Sequence, residues 1–187
     1  MKHPGGVRNK KGNGASYGNR GMGLEEDINL TNEYYLLHDI AVIHKKPVPI
    51  TISKVNYPSR LEAVIEKAYF KTPSTTDYNG IYKGKYIDFE AKETKSSSFP
   101  LSNIHNHQIK HLESIIDHGG IAFLIVRFTK ESETFLLKAD DLIMFIKEKT
   151  RKSIPKNYFL EKGFIIKESF TPRIDYLKII DHIYFGG

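Results

Sequence analysis

The chain has 187 residues, of which 40% are hydrophobic and 27% charged, a composition typical of one globular domain with a substantial core. It lacks cysteine, which excludes disulfides, thiolate nucleophiles and thiolate metal sites, and no stretch approaches the roughly 20 apolar residues that span a bilayer. The formal charge of +6 at pH 7 favours a polyanionic partner, and without an apolar signal segment the sequence predicts a cytoplasmic protein with no membrane partner.

The N-terminal segment concentrates both basic charge and glycine. Residues 1–20 carry five basic residues and no acidic one, and half of the fourteen glycines precede Leu24. Because a segment this poor in apolar side chains cannot offset the entropy of ordering its backbone, residues 1–22 are predicted to form a flexible basic arm. We expect the arm to bind DNA phosphates, although an ordinary frayed terminus is the alternative. Its DNA-binding residues would be Arg8, Lys10, Lys11 and Arg20.

Helix and strand signals alternate after the arm. Three acidic residues, placed at the positive end of a helix dipole, predict a helix over residues 23–38. Strands are predicted over residues 41–45 and 48–55, separated by Lys46-Pro47. Residues 61–70 are ambiguous between strand and helix.

The signals sharpen after Thr75. A two-residue turn at Lys83-Gly84 predicts a tight β-hairpin, and Gly119-Gly120 ends a predicted helix. A nearly continuous apolar run with β-branched residues predicts a central strand buried on both faces. The elements predicted here are strands over 75–82 and 85–92, a helix over 103–118, strands over 121–128 and 133–138, and helices over 140–149 and 174–184. Strands interleaved with helices indicate an α/β domain with a mixed sheet.

The predicted hairpin gathers polar side chains on one side of the sheet. With a two-residue turn, Asp77 faces Glu90, and the same register sets Thr75 against Lys92 and Asn79 against Asp88. Because side chains alternate with a period of two, all six point the same way. The other side carries apolar residues fit for a core.

Carboxylates that face each other directly repel, and a divalent cation removes the conflict. Hard oxygen ligands without His or Cys suit Mg²⁺, which takes one or two carboxylates and leaves other positions to water and substrate phosphate. Lys92 at the rim could orient an attacking water or stabilise charge developing on phosphorus. The alternative is a solvated face with scattered charges.

The residues around this hairpin resemble one nuclease family. Asp77 followed by Glu90-Ala91-Lys92 resembles the PD-(D/E)xK nuclease signature, which is short and common by itself. Its surroundings are more specific, and they resemble the RecU Holliday junction resolvases of low-GC Gram-positive bacteria over almost the whole chain. The segments that carry the resemblance are residues 19–22 (NRGM), 24–26 (LEE), 41–47 (AVIHKKP), 74–80 (STTDYNG), 86–94 (YIDFEAKET) and 172–176 (PRIDY).

The resemblance implies a restriction-endonuclease-like α/β core, a mixed β-sheet flanked by helices, with a projecting stalk. It implies a homodimeric, Mg²⁺-dependent endonuclease, with Mn²⁺ as a substitute, that nicks symmetric strands of four-way DNA junctions during recombination and repair. Such an enzyme would associate with the nucleoid, and a recombinase and a branch-migration helicase are its candidate protein partners. The family's metal ligands match Thr75, Asp77, Glu90 and Gln108, and its transition-state stabiliser matches Lys92.

Gln108 also stands out in the sequence itself. It lies on the apolar stripe of Ile104, Leu112 and Ile115, where a polar side chain needs a buried partner. An amide that caps local backbone is the alternative to a metal ligand.

The stalk of the family matches residues 48–71, which carry the DNA-binding candidates Lys54, Arg60, Lys67 and Lys71. An ordinary sheet edge is the alternative. A resolvase must cut two strands that are related by the two-fold axis of the junction. A C₂ dimer with one active site in each chain is therefore predicted, with these segments near the axis. The dimer contact is expected on apolar strand surface such as Ile50 and Ile52. The chain departs from better-known relatives over residues 130–160 and at its short C-terminal end.

Three other interpretations compete with the resolvase. His107 and His111 are four apart on a predicted helix with His105 and His118 nearby, which suggests a zinc hydrolase, although the HExxH order is missing. A non-catalytic junction-binding protein would use the arm and the net charge equally well, but would not need Asp77 opposite Glu90. A restriction-type nuclease shares the motif and would cut plain duplex DNA.

Overall fold

The structure, a computed structural model, describes residues 23–59, 61–71, 75–148 and 151–187. The predicted basic arm and Arg60 lie outside these residues. Within them, no helix is long and apolar enough to cross a membrane. The elements are, in chain order, α1 (Leu24–Leu37), β1 (Val42–Lys45), β2 (Ile50–Asn56), β3 (Val64–Phe70), β4 (Tyr78–Tyr82), β5 (Lys85–Thr94), β6 (Ser98–Pro100), a 3₁₀ turn (Leu101–Asn103), α2 (Asn106–Asp117), β7 (Ile121–Phe128), β8 (Glu133–Lys138), α3 (Ala139–Lys147), β9 (Ser153–Pro155), α4 (Lys156–Lys162), β10 (Phe164–Ile166), α5 (Tyr176–Ile180) and a π turn (Asp181–Phe185).

A six-stranded mixed sheet in the order β1-β4-β5-β7-β8-β10 forms the centre of the fold. β5 and β7 pair in parallel and the other neighbours pair antiparallel. Every residue of β7 is buried, because α1 and α5 cover one face of the sheet and α2, α3 and α4 cover the other. The predicted α/β fold with a mixed sheet, and the predicted central strand, are confirmed.

The hairpin of β4 and β5 has the predicted register. Tyr78 pairs with Phe89 and Asn79 with Asp88, across a turn in which Lys83 and Gly84 both have positive φ, as a two-residue hairpin turn requires. The ladder begins at Tyr78. The segment containing Thr75 and Asp77 therefore precedes it, and neither the predicted pairing of Thr75 with Lys92 nor that of Asp77 with Glu90 is part of the ladder. The side chains of Tyr78 and Phe89 stack in the core, their ring centroids 4.8 Å apart.

A second antiparallel hairpin, β2 with β3, forms its own two-stranded sheet. The ambiguous residues 61–70 contain the strand β3, and the strand predicted over 48–55 is β2. Every residue of both strands whose burial is described is exposed. The register shifts between Ile52 and Val55, which indicates a local bulge.

Several helix boundaries differ from the prediction. The helix expected over 103–118 is divided, because Ile104 is extended and α2 starts after His105. The helix expected over 174–184 begins at Tyr176, because Ile174 forms a β-bridge with Glu168. The short elements β6, β9, α4 and β10 were not predicted.

The segment 172–176 packs against α1 through a buried ion cluster. Arg173 Nε donates to Asp27 Oδ1 at 3.1 Å, and Arg127 Nη2 lies 2.6 Å from Asp27 Oδ2. Tyr35 OH donates to Asp175 Oδ1 at 2.8 Å. These contacts hold the C-terminal part of the chain and α1 together on one face of the sheet.

Candidate active site

Asp77, Glu90 and Lys92 meet where β4 begins beside β5. The Asp77 N–H donates to Glu90 Oε2 at 3.1 Å. Lys92 Nζ lies 3.5 Å from Asp77 Oδ2 and forms an ion pair with Glu90 Oε1. Because Glu90 and Lys92 are two apart on β5, both side chains leave the same face of the sheet.

The charges of this cluster depend on each other. Burial raises the pKa of Glu90 to about 7, and Asp77 adds to the shift although Lys92 opposes it. Burial alone would lower the pKa of Lys92, but hydrogen bonding and attraction to Glu90 and Asp77 raise it above its ordinary value. Lys92 therefore stays protonated at neutral pH, where it is the counter-ion of two acidic groups.

The same atoms fit a hard divalent cation. Glu90 Oε1 is buried, and the Lys92 ammonium is its ion-pair partner. No three Asp, Glu, His or Cys side chains cluster as a metal site in the described part of the chain. The protein would thus supply two carboxylates and leave other positions to neutral oxygens, water and phosphate, which is a donor set that Mg²⁺ accepts.

Gln108 and Thr75 lie outside this contact cluster. Gln108 is buried, and its Oε1 accepts the His105 N–H at 2.9 Å as part of the cap of α2. This bond is the backbone-capping alternative stated above. Thr75 Oγ1 makes a long contact of 3.4 Å with the Thr76 carbonyl. Neither side chain hydrogen-bonds to Asp77 or Glu90 among the residues described.

Asp88 has a different environment from the one its position in the hairpin suggests. The sequence places it with Asp77 and Glu90 as a third carboxylate on the polar face of the hairpin. In the structure it is fully buried, and its carboxylate accepts Lys46 Nζ at 2.7 Å and Tyr86 OH at 3.0 Å. His111 Nε2 lies 3.1 Å from the same carboxylate. Lys46 therefore neutralises Asp88, which removes the need for a cation there.

The histidines of α2 take structural positions. His111 contacts Asp88, and His105 precedes α2 as its N-cap. The rings of His105 and His107 stack with centroids 5.4 Å apart. These positions give no support to the zinc alternative.

The basic residues of the second hairpin are brought together at its exposed surface. Lys54 pairs with Lys67 in the ladder, and Lys54 forms an ion pair with Glu66. Lys67 Nζ lies 5.3 Å from the centroid of the Tyr69 ring. Lys71 is also exposed. The other predicted DNA-binding residues are outside the described part of the chain, namely Arg8, Lys10, Lys11, Arg20 and Arg60.

The sequence alone did not indicate Lys46, Thr76 or His111 as neighbours of the site. Lys46 directly follows β1, which lies next to β4 and not next to β5 in the sheet, and His111 comes from α2. The available signals were the positions of Lys46 within the segment 41–47 and of Thr76 within the segment 74–80, both of which carry part of the family resemblance.

Comparison with known proteins identifies the family. Residues 19–182 match the family described as Recombination protein U. The chain is 57% identical to the Holliday junction resolvase RecU of Geobacillus sp. (strain WCH70) over 175 residues, which cover 91% of this chain and 87% of the relative. It is 56% identical to the Holliday junction resolvase RecU of Bacillus thuringiensis (strain Al Hakam), with 91% and 88% covered.

Among solved structures, the chain overlaps with Archaeoglobus fulgidus Hjc, described as a Holliday junction resolvase from an archaeal hyperthermophile. The TM-score is 0.45 at 13% identity, over 76% of this chain and 94% of that chain. The match of residues 19–182 to the family, together with identities above 50% over nine-tenths of the sequence, shows that the chain belongs to the Recombination protein U family.

Proposed function

We propose that this chain is a Mg²⁺-dependent endonuclease that resolves four-way Holliday junctions by symmetric nicking during homologous recombination and DNA repair. The observation that carries the proposal is the contact cluster of Asp77, Glu90 and Lys92, in which two acidic groups face one ammonium at the start of a sheet hairpin. A purely structural hairpin has no reason to place a buried Glu beside a second carboxylate. The family and its named relatives supply the substrate.

The residues of the site would have different roles in phosphodiester hydrolysis. A bound divalent ion supplies a Lewis acid and an activated water. Asp77 and Glu90 would hold the ion, and Mn²⁺ would satisfy the same oxygens. Thr75 and Gln108 are proposed as further ligands, and Gln108 Oε1, which accepts the His105 N–H, has a second lone pair for the ion.

Lys92 carries the electrostatic part of the reaction. Its ammonium lies between the two carboxylates, and its side chain is 28% exposed, so it can face a phosphate that approaches them. Its raised pKa keeps the charge in place at neutral pH. Lys92 would orient the attacking water or stabilise the charge that develops on phosphorus.

DNA binding is assigned to the basic arm and to the second hairpin. The arm joins the described chain at Gly23, and the Leu24 N–H donates to Glu93 Oε1 at 2.7 Å, one residue from Lys92. The basic residues of the arm would neutralise DNA phosphates. The hairpin of β2 and β3 would act as the stalk, with its lysines at the phosphates crowded around the crossover. This substrate would place the protein at the nucleoid, where a recombinase and a branch-migration helicase would be its partners.

A C₂ homodimer is the proposed functional unit, because two symmetric cuts in one encounter need two sites related by the junction's own axis. The exposed apolar side chains of the second hairpin support this proposal. Ile50 and Ile52 are 46% and 50% exposed, and a second copy of the chain would cover them.

The proposal is tested by cleavage of a mobile four-way junction against linear duplex of the same sequence, with Mg²⁺, with Mn²⁺ and with EDTA. We expect paired nicks in the junction with either metal, none with EDTA, and no cutting of the duplex. Site-specific cutting of the duplex would identify a restriction-type nuclease instead. Binding of the junction without cleavage under every metal condition would identify a non-catalytic binding protein.

A further inference from the structure

The geometry points to Lys46, Thr76 and Asp88 as a positioning network that holds Asp77 in place to bind the metal; this inference rests on the function proposed above. None of the three is a proposed ligand. Each acts through the main chain or side chain next to Asp77. We infer that the network sets the affinity of the site for its divalent cation.

Hydrogen bonds hold the peptide groups on both sides of the Asp77 side chain. The Lys46 N–H donates to the Asp77 carbonyl at 2.7 Å. Lys46 Nζ donates to Thr76 Oγ1 at 3.0 Å, and that hydroxyl donates to Asp88 Oδ1. With the bond from the Asp77 N–H to Glu90, both peptide groups of Asp77 and the preceding side chain are fixed.

Asp77 needs this anchoring because it precedes the β4 ladder. The ladder begins at Tyr78, and the side chain of Asp77 is 41% exposed, so sheet pairing does not hold it. Its carboxylate and that of Glu90 repel each other when no cation lies between them. Without the anchors the segment could move away from Glu90, and the two ligands would no longer be held together.

Asp88 is suited to anchoring and not to ligation. It lies two residues from Glu90 on the same face of β5, about 7 Å along the strand, and is fully buried. Its carboxylate is already engaged by Lys46, Thr76 and Tyr86, with His111 at 3.1 Å. A buried ion pair contributes little net stability on its own. This ion pair, between Lys46 and Asp88, also binds the hydroxyl of Thr76, the residue before the proposed metal ligand Asp77.

The sharpest test removes the Thr76 hydroxyl without changing any charge. In Thr76→Val, the Lys46–Asp88 ion pair and the bond from the Lys46 N–H to the Asp77 carbonyl remain, while the side-chain link through the Thr76 hydroxyl is removed. Mn²⁺ binding to the DNA-free protein, measured by calorimetry, should weaken roughly 10-fold, the usual size of such an effect. At saturating junction, kcat should fall and the Mg²⁺ concentration for half-maximal cleavage should rise by a similar factor. Thr76→Ser keeps the hydroxyl and should restore all three values.

Thr134→Val is the matched control. Thr134 is a buried threonine on β8, two strands from β5, and its hydroxyl accepts Arg127 Nε at 3.0 Å. The control loses one buried hydrogen bond and should keep wild-type Mn²⁺ affinity and kcat. Junction binding in EDTA should be unchanged in all these variants, because none of the altered groups is assigned to DNA.

The outcomes separate the network from the function on which it rests. If wild type cleaves the junction and Thr76→Val binds Mn²⁺ and cleaves as wild type does, the positioning inference is wrong. If Thr76→Val does not fold, Asp88→Asn, which keeps the side-chain shape, takes its place with the same expected loss and the same contrary result. If wild type itself does not cleave the junction, the proposed function fails, while the Mn²⁺ comparison still decides whether the network sets metal affinity.

Discussion

The molecule contains two antiparallel hairpins that differ in almost every physical respect. The hairpin of β4 and β5 lies inside the six-stranded sheet and buries charged groups, with Asp88 and Glu90 both at zero exposure. The hairpin of β2 and β3 lies outside that sheet and exposes apolar groups, including Val64 and Phe70. Buried residues are ordinarily apolar and exposed residues ordinarily polar, so each hairpin has the opposite of the expected polarity.

The comparison separates chemistry from recognition. The carboxylate of Glu90 has a pKa raised by burial and a fixed position, which suits catalysis. Exposed apolar and basic groups on a ribbon are suited to contacts with another molecule. Variants in the first hairpin should therefore change the reaction without changing DNA affinity, and variants in the second should do the reverse.

The largest effect is expected from Asp77→Asn and Glu90→Gln. Each removes one of the two carboxylates, so cleavage of a four-way junction should fall to background in a gel assay. Junction binding in EDTA should stay within a few-fold of wild type, because neither side chain is assigned to DNA. Loss of folding in both variants, seen by circular dichroism, would mean that these residues are structural.

Lys92→Ala should slow the reaction by about 10²-fold or more, the usual size for the loss of one electrostatic stabiliser. Because both carboxylates remain, Mn²⁺ binding should persist. Single-turnover kinetics at saturating metal and junction measure the chemical step directly. A rate near that of wild type would contradict the role given to Lys92.

A mixed dimer tests whether each active site of the proposed dimer cuts one strand. A dimer of one wild-type chain and one Asp77→Asn chain, purified through a different affinity tag on each chain, should nick one strand of the junction and leave the paired strand whole. The reason is that each site reaches only the strand on its own side of the two-fold axis. Full resolution by the mixed dimer would show that one site makes both cuts and that the symmetry argument is wrong.

The second hairpin should control affinity with a smaller effect. Lys67→Ala removes a cation beside Tyr69, and junction affinity at low salt should fall several-fold while kcat is kept. The slope of log affinity against log salt should decrease by about one for each DNA phosphate that the variant no longer neutralises. Lys162→Ala on α4, an exposed lysine far along the chain, is the control and should leave the slope unchanged.

The same contrast explains how much the sequence could predict. The register of β4 and β5 follows from a two-residue turn and the period of two, both of which are local. The contact between Lys46 and Asp88 depends on how β1 approaches across β4, and no local pattern contains that distance. Gln108 shows the same limit, since its stripe position was visible but its bond to the His105 N–H was only one of two options. Strands of three residues, such as β6 and β9, are too short to show a period.

The last effect expected concerns stability and not cleavage: a pH dependence of stability in the metal-free protein, which comes from the buried side of the comparison. The pKa of Glu90 is about 7 in the folded state against an ordinary value of 4.5, so the folded protein binds more protons than the unfolded chain between these two pH values. Stability should therefore fall as pH rises from about 4.5 to 7 and should level off above 7.

Glu90→Gln isolates this effect because the amide does not titrate. Relative to wild type, the variant should gain on the order of 2 kcal/mol in unfolding free energy between pH 4.5 and pH 8, measured by urea denaturation in EDTA. Mg²⁺ added at pH 8 should stabilise the wild type and leave the variant unchanged, because the ion binds the ionised carboxylate that burial penalises. A difference between the two proteins that stays constant with pH would show that Lys92 already compensates Glu90 fully, and the buried carboxylate would then be held ready for the metal at no cost in stability.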